Sequence, residues 1–278
     1  MVAAVPDGAT VALGGWGLYN APSALARALA RAGRRELTLV APAAGAAADV
    51  LVAAGCVSTV LCASLSLGAV GPAPCAGRAA AAGALRVREI DLPALVAALR
   101  AAAAALPSGV VRDFGTDLAR VNPEWYGPAP GAGERPPRLT VPALAPDVVL
   151  LHAQQGDYGG NAQHLGAAFL DPLLARAGRK VFVSVDEHVD YDGLRRAPAA
   201  TRLPEFVVDG IVRLPFGAHP AGSQGRYEPD ESHLRYYVEA AAAPGTLARY
   251  LAMFVTGPAG HEAYLDAVGR AALRDLRR

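Results

Sequence analysis

The sequence predicts an α/β protein whose central sheet is mostly parallel and flanked by helices. Short runs of leucine and β-branched residues alternate along the chain with longer, alanine-rich segments that carry helix start and stop signals. Such alternation is typical of parallel sheets, because parallel neighbours are joined by crossover helices. With 278 residues, of which 53% are hydrophobic, the chain is long enough to bury a large core.

The elements of the first half follow one another closely. A short apolar strand begins at Thr10 and runs into a glycine turn. The helix after it has Pro22 in its first turn and Gly33 just past its end, which are favoured positions for these residues. In order, we predict strand 10–15, helix 22–32, strand 37–41, helix 49–54, strand 57–63, strand 85–89 and helix 93–106.

The second half resumes this alternation after a loop rich in glycine and proline at 127–137. We predict strands at 148–152, 181–185 and 206–213, and a helix at 165–177. The tail 230–276 reads as helical with breaks near Pro244 and Pro258, because proline disrupts a helix interior. We therefore expect one domain over 1–278, with a helical extension from about residue 230 to residue 278.

Charge and cysteine content narrow the class of protein. A formal net charge of +1 argues against a nucleic-acid or membrane-surface binder, which needs a basic excess. The longest apolar runs are interrupted by proline, glycine or charge, and no signal peptide is visible, so no membrane segment is expected. The three cysteines, Cys56, Cys62 and Cys75, form no C-x-x-C pair. We expect them to be buried apolar residues of a cytoplasmic protein.

A glycine-rich loop, residues 14–20, joins the first strand to the first helix. Glycines let the backbone approach a ligand, and amides at the following helix start can hold an anion. The loop comes close to the dinucleotide motif G-x-G-x-x-G, but Asn20 replaces the third glycine and no acidic residue ends the second strand. Three interpretations stay open: an NAD or FAD site, a purely structural turn, and an anion, oxyanion or thioester site.

Further polar residues follow predicted strands, where open α/β sheets bind ligands. Asp157 and Asn161 either cap the next helix or line a pocket, and Glu187 is a candidate site carboxylate. Asp113 and Asp117 are interpreted as residues that tie a loop. The six histidines lack a zinc motif, and no G-x-S-x-G is present, so neither a zinc site nor the common serine hydrolase layout is predicted.

Ten short segments, spread in order over almost the whole chain, carry a resemblance to a known family. They are Pro6-Asp-Gly-Ala-Thr-Val-Ala-Leu-Gly-Gly15 with Pro22 after it, Leu37-Thr-Leu-Val40, Ala54-Gly55-Cys-Val57, Gly115-Thr-Asp-Leu118, Ala145-Pro-Asp-Val-Val-Leu-Leu-His-Ala153, Asp157 to Asn161, Val208-Asp-Gly-Ile-Val, Pro215-Phe-Gly-Ala-His-Pro220, Tyr227-Glu-Pro-Asp230 and Tyr236-Tyr-Val-Glu-Ala240. Together they resemble the family I coenzyme A transferases, and within them the α chain of the glutaconate CoA-transferase type.

The resemblance implies a CoA-transferase fold and an α₂β₂-like assembly with a homologous β subunit. The implied reaction moves CoA from an acyl-CoA to a carboxylic acid, with CoA as a substrate and no permanently bound cofactor or metal. In this family the nucleophile is a glutamate of the β chain, typically in a Ser-Glu-Asn-Gly-like motif, which forms an anhydride and then an enzyme thioester. No such motif occurs here. The resemblance thus implies that this chain holds no catalytic nucleophile and is active only with a β subunit.

For the α chain, the resemblance implies a supporting role in the pocket. Gly14, Gly15, Gly17 and the amides near Asn20 would shape the pocket and stabilise an oxyanion, at about 3–4 kcal/mol per donor. Ser66, after the third strand, is similar to a loop that borders the acyl pocket. In related 3-oxoacid transferases the glycine loop is followed by Pro-Glu-Asn, whereas here it is followed by Pro-Ser-Ala, and Asn20 is the candidate substitute for that side-chain donor.

Two other functions stay open. Some relatives of this family hydrolyse a C–C bond in cyclic CoA thioesters of steroid degradation, and they resemble this chain at Arg88-Glu-Ile-Asp91. Those relatives place a working glutamate directly after the aspartate, where this chain has Leu92. The other alternative is not an enzyme but a metabolite-sensing module on the same type of fold, which would need no β partner.

Overall fold

The centre of the molecule is a large, mostly parallel sheet. In the computed structural model, which describes residues 1–2, 5–129 and 137–277, the strands form a nine-stranded sheet and two small ones. The strands are β1 (Thr10–Leu13), β2 (Leu37–Val40), β3 (Ala43–Ala44), β4 (Val57–Cys62), β5 (Ser64–Leu65), β6 (Arg86–Glu89), β7 (Ser108–Arg112), β8 (Gly127–Pro128), β9 (Arg138–Pro142), β10 (Val148–Gly156), β11 (Ala162–Gln163), β12 (Val181–His188), β13 (Thr201–Leu203) and β14 (Gly210–Arg213). Most of the predicted loop at 127–137 lies outside the described residues.

Helices follow most of the strands of the large sheet. They are α1 (Ser23–Arg31), α2 (Ala46–Ala53), α3 (Pro74–Ala81), α4 (Leu92–Ala103), α5 (Leu118–Val121), α6 (Asp171–Ala177), α7 (Tyr191–Arg195), α8 (Glu231–Ala240), α9 (Pro244–Leu251), α10 (His261–Val268) and α11 (Arg270–Asp275). A π-helical turn, Ala252–Thr256, continues α9. No helix of the described residues is long and apolar enough to cross a bilayer.

The order of the parallel strands is β6-β4-β2-β1-β10-β12-β14. β1 lies near the middle, with Val11 opposite both Leu39 of β2 and Val148 of β10. Beyond the end of β1, the short strands β11 and β13 continue antiparallel from β10. The predicted fold class is confirmed. Parallel strands end at one edge of the sheet, which we call the carboxyl edge.

Two helical layers cover the sheet, as parallel strands require. Side chains alternate along β1, so Val11 and Leu13 pack on one layer while Ala12 packs on the other. The first layer contains α1, α2, α3 and the C-terminal helices α8–α11. The second contains α4, α6 and the small sheet of β7, β8 and β9. The core therefore lies on both faces of β1, and the loop after β1 starts from a strand whose last three residues, 11–13, are buried.

Some predicted boundaries are wrong, and the chemistry explains why. The helix predicted at 165–177 begins only at Asp171, because Phe169 adopts a left-handed φ of 47° and Pro172 marks the first turn. The strand predicted at 206–213 begins at Gly210, after a short 3₁₀ turn. α3, β7 and β9 were not predicted. Alanine-rich and mixed polar segments of this kind lack a clear apolar period.

Candidate active site at the carboxyl edge

The glycine loop folds as a tight turn at the end of β1. The N–H of Trp16 donates to Tyr19 O at 2.9 Å, and the N–H of Tyr19 donates back to Trp16 O at 3.0 Å. Gly17 has a φ of 58°, in the left-handed region that favours glycine. Gly17 and Leu18, at the tip, are partly exposed, whereas Gly14 and Gly15 are buried. The tip of the loop is therefore accessible to solvent, whereas its base is buried.

The two glycines at the base of the loop have no room for a side chain. A Cβ on Gly14 would lie 2.6 Å from Asp171 Oδ1, and one on Gly15, whose φ is 79°, would lie 2.6 Å from the backbone of Asn20. Their N–H groups are also engaged, since Gly14 donates to Leu150 O at 2.9 Å and Gly15 donates to Asp171 Oδ1 at 2.8 Å. Both glycines are thus packing requirements of the loop.

The free backbone donors of the loop lie at its tip. Among the described residues, no acceptor is paired with the N–H of Gly17 or of Leu18. The oxyanion role expected for Gly14, Gly15 and Gly17 stays a prediction. The geometry leaves Gly17 and Leu18 as the amides available for it, since the first two glycines already donate within the chain.

A buried aspartate anchors the loop from α6. Besides accepting from Gly15, Asp171 is hydrogen-bonded through Oδ2 to His164 Nε2 at 3.0 Å. Both side chains are completely buried. Among the described residues, His164 Nδ1 has no hydrogen-bond partner. This anchor was not predictable from the sequence, because 156 residues separate Gly15 from Asp171 and only the helix-start signal of Asp-Pro marks the position.

Asn20 is completely buried, has a left-handed φ of 57° and links several segments through side-chain hydrogen bonds. Its Oδ1 accepts from Gln154 Nε2 at 2.9 Å and from the N–H of Gln224 at 3.3 Å. Its Nδ2 donates to Ala167 O at 3.1 Å. The side chain that was expected to substitute for an oxyanion donor therefore joins the glycine loop to the end of β10 and to residues 222–224. The oxyanion role of Asn20 stays a prediction.

A buried polar chain continues from Asn20 across the carboxyl edge. Gln154 Nε2 donates to Ser223 Oγ at 2.9 Å, and Ser223 Oγ donates to Asp186 Oδ2 at 2.6 Å. The same carboxylate oxygen lies 3.2 Å from His152 Nε2, and His152 Nδ1 lies 3.0 Å from Ser184 Oγ. His152 and Ser184 are completely buried, so they cannot reach a substrate. This hydrogen-bonded network joins the ends of β10 and β12 to residues 222–224, although Asp186 Oδ1 has no hydrogen-bond partner among the described residues.

Ser66 lies beside the glycine loop and closes its own turn. Its Oγ accepts from the N–H of Gly68 at 3.0 Å and donates to Gly71 O at 3.3 Å. Gly45 lies between the two loops, since a Cβ there would be 2.8 Å from Gly17 O and 3.9 Å from Ser66 O. The structure thus brings Ser66 and Gly17 together across Gly45. The role of Ser66 at an acyl pocket stays a prediction.

The other carboxylates of this edge are also engaged. Asp157 accepts from the N–H groups of Gly160 and Asn161, both at 2.9 Å, and closes the turn between β10 and β11. The option that it caps a following helix is wrong, because a strand follows. Glu187 forms a 2.7 Å ion pair with Arg226. Asp157 is thus hydrogen-bonded and Glu187 ion-paired within the chain, and the Glu187 side chain stays 48% exposed.

The first helical layer contains a cluster of possible metal ligands that was not predicted from the sequence. Ligand atoms of His219, Asp230 and His233 lie within 4.8 Å of one another. They are hydrogen-bonded to one another or to buried tyrosines, and burial lowers the pKa of His233 to about 3. The buried guanidinium of Arg27, which donates to His219 O at 2.8 Å, further disfavours a cation there. The cluster reads as a packed hydrogen-bonded core element.

The cysteines show no sign of a reactive thiol. All three are buried and unpaired. Burial raises the pKa of the Cys62 thiol to about 11, so the thiolate that acts as a nucleophile is scarce at neutral pH. Asp113 also behaves as expected, since its Oδ1 accepts from the N–H of Gly115 at 2.8 Å within the loop.

Asp91, the residue before Leu92, holds the start of α4 and contacts Tyr126. Asp91 caps α4, where its Oδ1 accepts from the N–H of Ala94 at 2.8 Å. Its Oδ2 accepts from Tyr126 OH at 2.7 Å. Both carboxylate oxygens of Asp91 are thus engaged within the chain.

A sequence model of the coenzyme A transferase family matches residues 1–214. This chain therefore belongs to the coenzyme A transferase family, a family of enzymes, and the resemblance seen in the sequence is confirmed. A solved structure supports the same assignment: glutaconate coenzyme A-transferase from Acidaminococcus fermentans superposes with a TM-score of 0.90 at 26% identity, covering 99% of this chain and 92% of that one. The decarboxylase AibA/AibB C56S variant superposes with a TM-score of 0.79 at 37% identity, covering 90% and 95%.

Relatives by sequence carry more than one activity in their names. The chain is 34% identical to the cholesterol ring-cleaving hydrolase IpdA subunit of Rhodococcus jostii, over 90% of this chain and 88% of that one. It is 32% identical to one of the subunits of 3-oxoadipate CoA-transferase from Pseudomonas knackmussii, over 84% and 82%. A relative from Archaeoglobus fulgidus is 33% identical over 99% of this chain. The relative is longer, and this chain spans 62% of its length.

Proposed function

We propose that this chain is the α subunit of a heteromeric CoA transferase that moves CoA from an acyl-CoA to a carboxylic acid. The observation that carries the proposal is the state of four carboxylates at or near the carboxyl edge of the sheet. Asp171, Asp186, Asp157 and Glu187 are each held by hydrogen bonds or an ion pair within the chain. Among the described residues, these four carboxylates are already engaged, which fits a division of labour in which a homologous β subunit brings the nucleophile.

The proposed reaction needs no ATP, because the CoA thioester is exchanged from one carboxyl group to another. The β-subunit glutamate attacks the thioester carbonyl carbon, the C–S bond breaks, and CoA leaves as thiolate. The thiolate then attacks the glutamyl carbonyl of the mixed anhydride, which releases the first acid and leaves a glutamyl-CoA thioester. The acceptor carboxylate runs the same two steps in reverse. In both addition steps the negative oxygen that develops would be held by the N–H groups of Gly17 and Leu18.

Reconstitution tests the division of labour. The purified chain alone is expected to transfer no CoA, and a mixture with its β subunit is expected to transfer CoA from an acyl-CoA to a carboxylic acid. Borohydride reduction after incubation with acyl-CoA should label the β subunit only. Steady transfer by this chain alone, or a label on one of its own residues, would overturn the proposal. We further propose that the protein is cytoplasmic and that the two subunit types assemble as α₂β₂.

Ring cleavage is the second candidate, because the relative from Rhodococcus jostii is named as a cholesterol ring-cleaving hydrolase subunit. Two features of this chain weaken it. Leu92 stands where the resemblance implies a working glutamate in such hydrolases, and the preceding Asp91 is engaged as a helix cap. Product analysis on a cyclic CoA thioester decides between the two: water incorporated at a broken C–C bond means hydrolysis, and CoA on a second acid means transfer. A chain that binds a metabolite and never a β subunit would instead be a sensing module.

A further inference from the structure

A small cavity lies against the glycine loop, between the carboxyl ends of β1 and β2. Its walls include Leu13 and Gly14 at the end of β1, Trp16 and Gly17 of the loop, and five of the alanines within residues 41–48. Its volume is about 10 Å³, which is room for one group of the size of a water molecule or a methyl group. We call it the alanine cavity.

The rim of the alanine cavity lies next to a free amide. Trp16, Gly17 and Ala43 are partly exposed, whereas Ala44 and Ala48 are buried. A Cβ on Gly17 would meet no atom within 4 Å, so there is open space beside this residue. Among the described residues, no acceptor is paired with the N–H of Gly17. An acyl group whose carbonyl oxygen accepts from this N–H can therefore direct its chain into the cavity.

The walls of the alanine cavity offer no partner to a charged group. Of the described residues that line it, none carries a charge or a side-chain hydroxyl. The hydroxyl of the nearby Ser66 already donates to Gly71 O at 3.3 Å. Tyr19 of the loop donates to Glu228 Oε2 at 3.0 Å, so the charged group in that contact is a carboxylate. A second carboxylate placed in the cavity would lose its water without gaining a cation, which is strongly unfavourable.

An aromatic pair holds the outer wall of the alanine cavity in place. The rings of Trp16 and Phe169 are stacked, with their centroids 6.2 Å apart and their planes at 24°. The backbone of Trp16 is held as well, because its N–H donates to Tyr19 O at 2.9 Å. Both the ring and the backbone of Trp16 are thus fixed by residues of this chain, which sets the size of the cavity.

We propose that the alanine cavity is an acyl subsite, and that it selects a short aliphatic acyl group over one that ends in a second carboxylate. This rests on the proposed function, which makes an acyl-CoA the substrate and the Gly17 N–H a donor to its carbonyl oxygen. The terminal methyl group leaves water when it enters the cavity, which is favourable for an apolar group. A terminal carboxylate at the same position is buried without a counter-charge. The preference for a methyl group is thus encoded in residues of this chain.

The enzyme reconstituted with its β subunit tests this preference with butyryl-CoA and succinyl-CoA, in which a carboxylate replaces the terminal methyl group. We expect kcat/KM to be about tenfold or more higher for butyryl-CoA, because the carboxylate has no partner in the cavity. Titration calorimetry with the ketone analogues of both compounds, in which CH₂ replaces the sulfur, measures the same preference without turnover. Equal or better use of succinyl-CoA would overturn the inference.

A variant that fills the cavity tests its location. A48V adds two methyl groups at a buried wall residue of α2. It should lower the ratio of kcat/KM for butyryl-CoA to kcat/KM for acetyl-CoA about tenfold, because the longer chain needs the space that valine occupies. A53V makes the same change on the same helix outside the cavity and should leave the ratio unchanged.

The ratio compares two substrates on one preparation, so partial unfolding of a variant does not alter it. A43V, at the partly exposed rim, serves if A48V does not fold. An unchanged ratio in both A48V and A43V would overturn the alanine cavity as the acyl subsite. So would a change in A53V as large as that in A48V, because it would reflect a general effect on α2.

The outcomes also separate this inference from the proposed function. Tighter binding of the butyryl analogue, weakened by A48V, in a protein that never transfers CoA would support the alanine cavity and overturn the proposed function. Transfer of CoA from butyryl-CoA and succinyl-CoA with equal kcat/KM would do the reverse. Binding of neither analogue to the reconstituted protein would overturn the cavity as an acyl subsite.

Discussion

Two buried aspartates, Asp171 and Asp49, use the same chemistry in different parts of the molecule. Asp171 accepts the N–H of Gly15 at the base of the glycine loop. Asp49, on α2, accepts the N–H groups of Cys75 and Ala76 at the start of α3. A neutral hydroxyl, Tyr237 OH, donates to Asp49 at 2.6 Å, whereas Asp171 pairs with a histidine. One carboxylate orients a loop at the carboxyl edge, and the other joins three helices inside a layer.

The comparison teaches that burial alone does not mark a functional carboxylate. Both side chains are completely buried. What differs is the backbone they hold: Asp171 fixes a loop whose tip has free donors, while Asp49 fixes a helix start that is packed in the core. Variants should therefore separate the two, with loss of activity at the carboxyl edge and loss of stability in the helical layer.

The largest effect is expected from G15A. Both the left-handed φ of 79° and the 2.6 Å approach of a Cβ to the Asn20 backbone oppose any side chain. We expect transfer by the reconstituted enzyme to fall about a hundredfold or more, and the free energy of unfolding to fall by about 2–3 kcal/mol.

The control for G15A is G33A, which has a φ of 65° but open space around the added Cβ. It should lose only about 1–2 kcal/mol of stability from backbone strain and keep its kcat. Kinetics and urea unfolding measure both quantities. If G33A reduced kcat as strongly as G15A, a general loss of stability, and not the geometry of the glycine loop, would explain the effect.

The pair D171N and D49N tests the comparison directly. D171N replaces the carboxyl group that accepts the Gly15 N–H by an amide, which also has to face His164 Nε2, and should lower kcat about tenfold or more, with little change in KM. D49N places an amide against donors at the start of α3 and should lower the free energy of unfolding by about 1–3 kcal/mol, with kcat unchanged in the folded fraction. The reverse pattern, with D49N lowering kcat and D171N leaving it intact, would contradict the assignment.

Stability below pH 6.5 tests the histidines of the helical layer. Burial lowers the pKa of His233 to about 3 and that of His261 to about 4. Between these values and the ordinary histidine pKa of about 6.5, the unfolded chain binds more protons than the folded one. The free energy of unfolding should therefore fall as the pH falls through this window, by about 1.4 kcal/mol per pH unit for each such histidine.

H233Q removes one of these titrating groups. It should reduce the slope of the free energy of unfolding against pH by about 1.4 kcal/mol per pH unit, the contribution of one proton, measured by urea unfolding between pH 4.5 and 6.5. Y250F removes the hydrogen bond to His233 Nε2, at 2.8 Å, but keeps the histidine. It should lower stability at every pH by a similar amount and preserve the slope. An unchanged slope in H233Q would mean that His233 titrates alike in the folded and unfolded chain.

The sequence predicted the parallel sheet well but the site only in part. The strands of that sheet and the position of the glycine loop were predictable, because apolar periodicity and glycine act locally. The roles of Asp171, Gln154 and Ser223 were not, because contacts such as Gly15 to Asp171 join residues more than a hundred positions apart. The internal use of the Gly14 and Gly15 N–H groups was equally invisible, since it depends on those distant partners.

The smallest effect is expected from D91A, at the aspartate before Leu92. Asp91 accepts from the N–H of Ala94 and from Tyr126 OH. Loss of the cap of α4 should lower the free energy of unfolding by about 1 kcal/mol. D91N keeps a capping oxygen and should lose less. Transfer activity should be unchanged in both variants, because Asp91 acts on the helix and not on the substrate. If turnover disappeared in D91A and D91N while urea unfolding stayed as in the parent chain, Asp91 would be a working residue, and ring cleavage would become the better account of this protein.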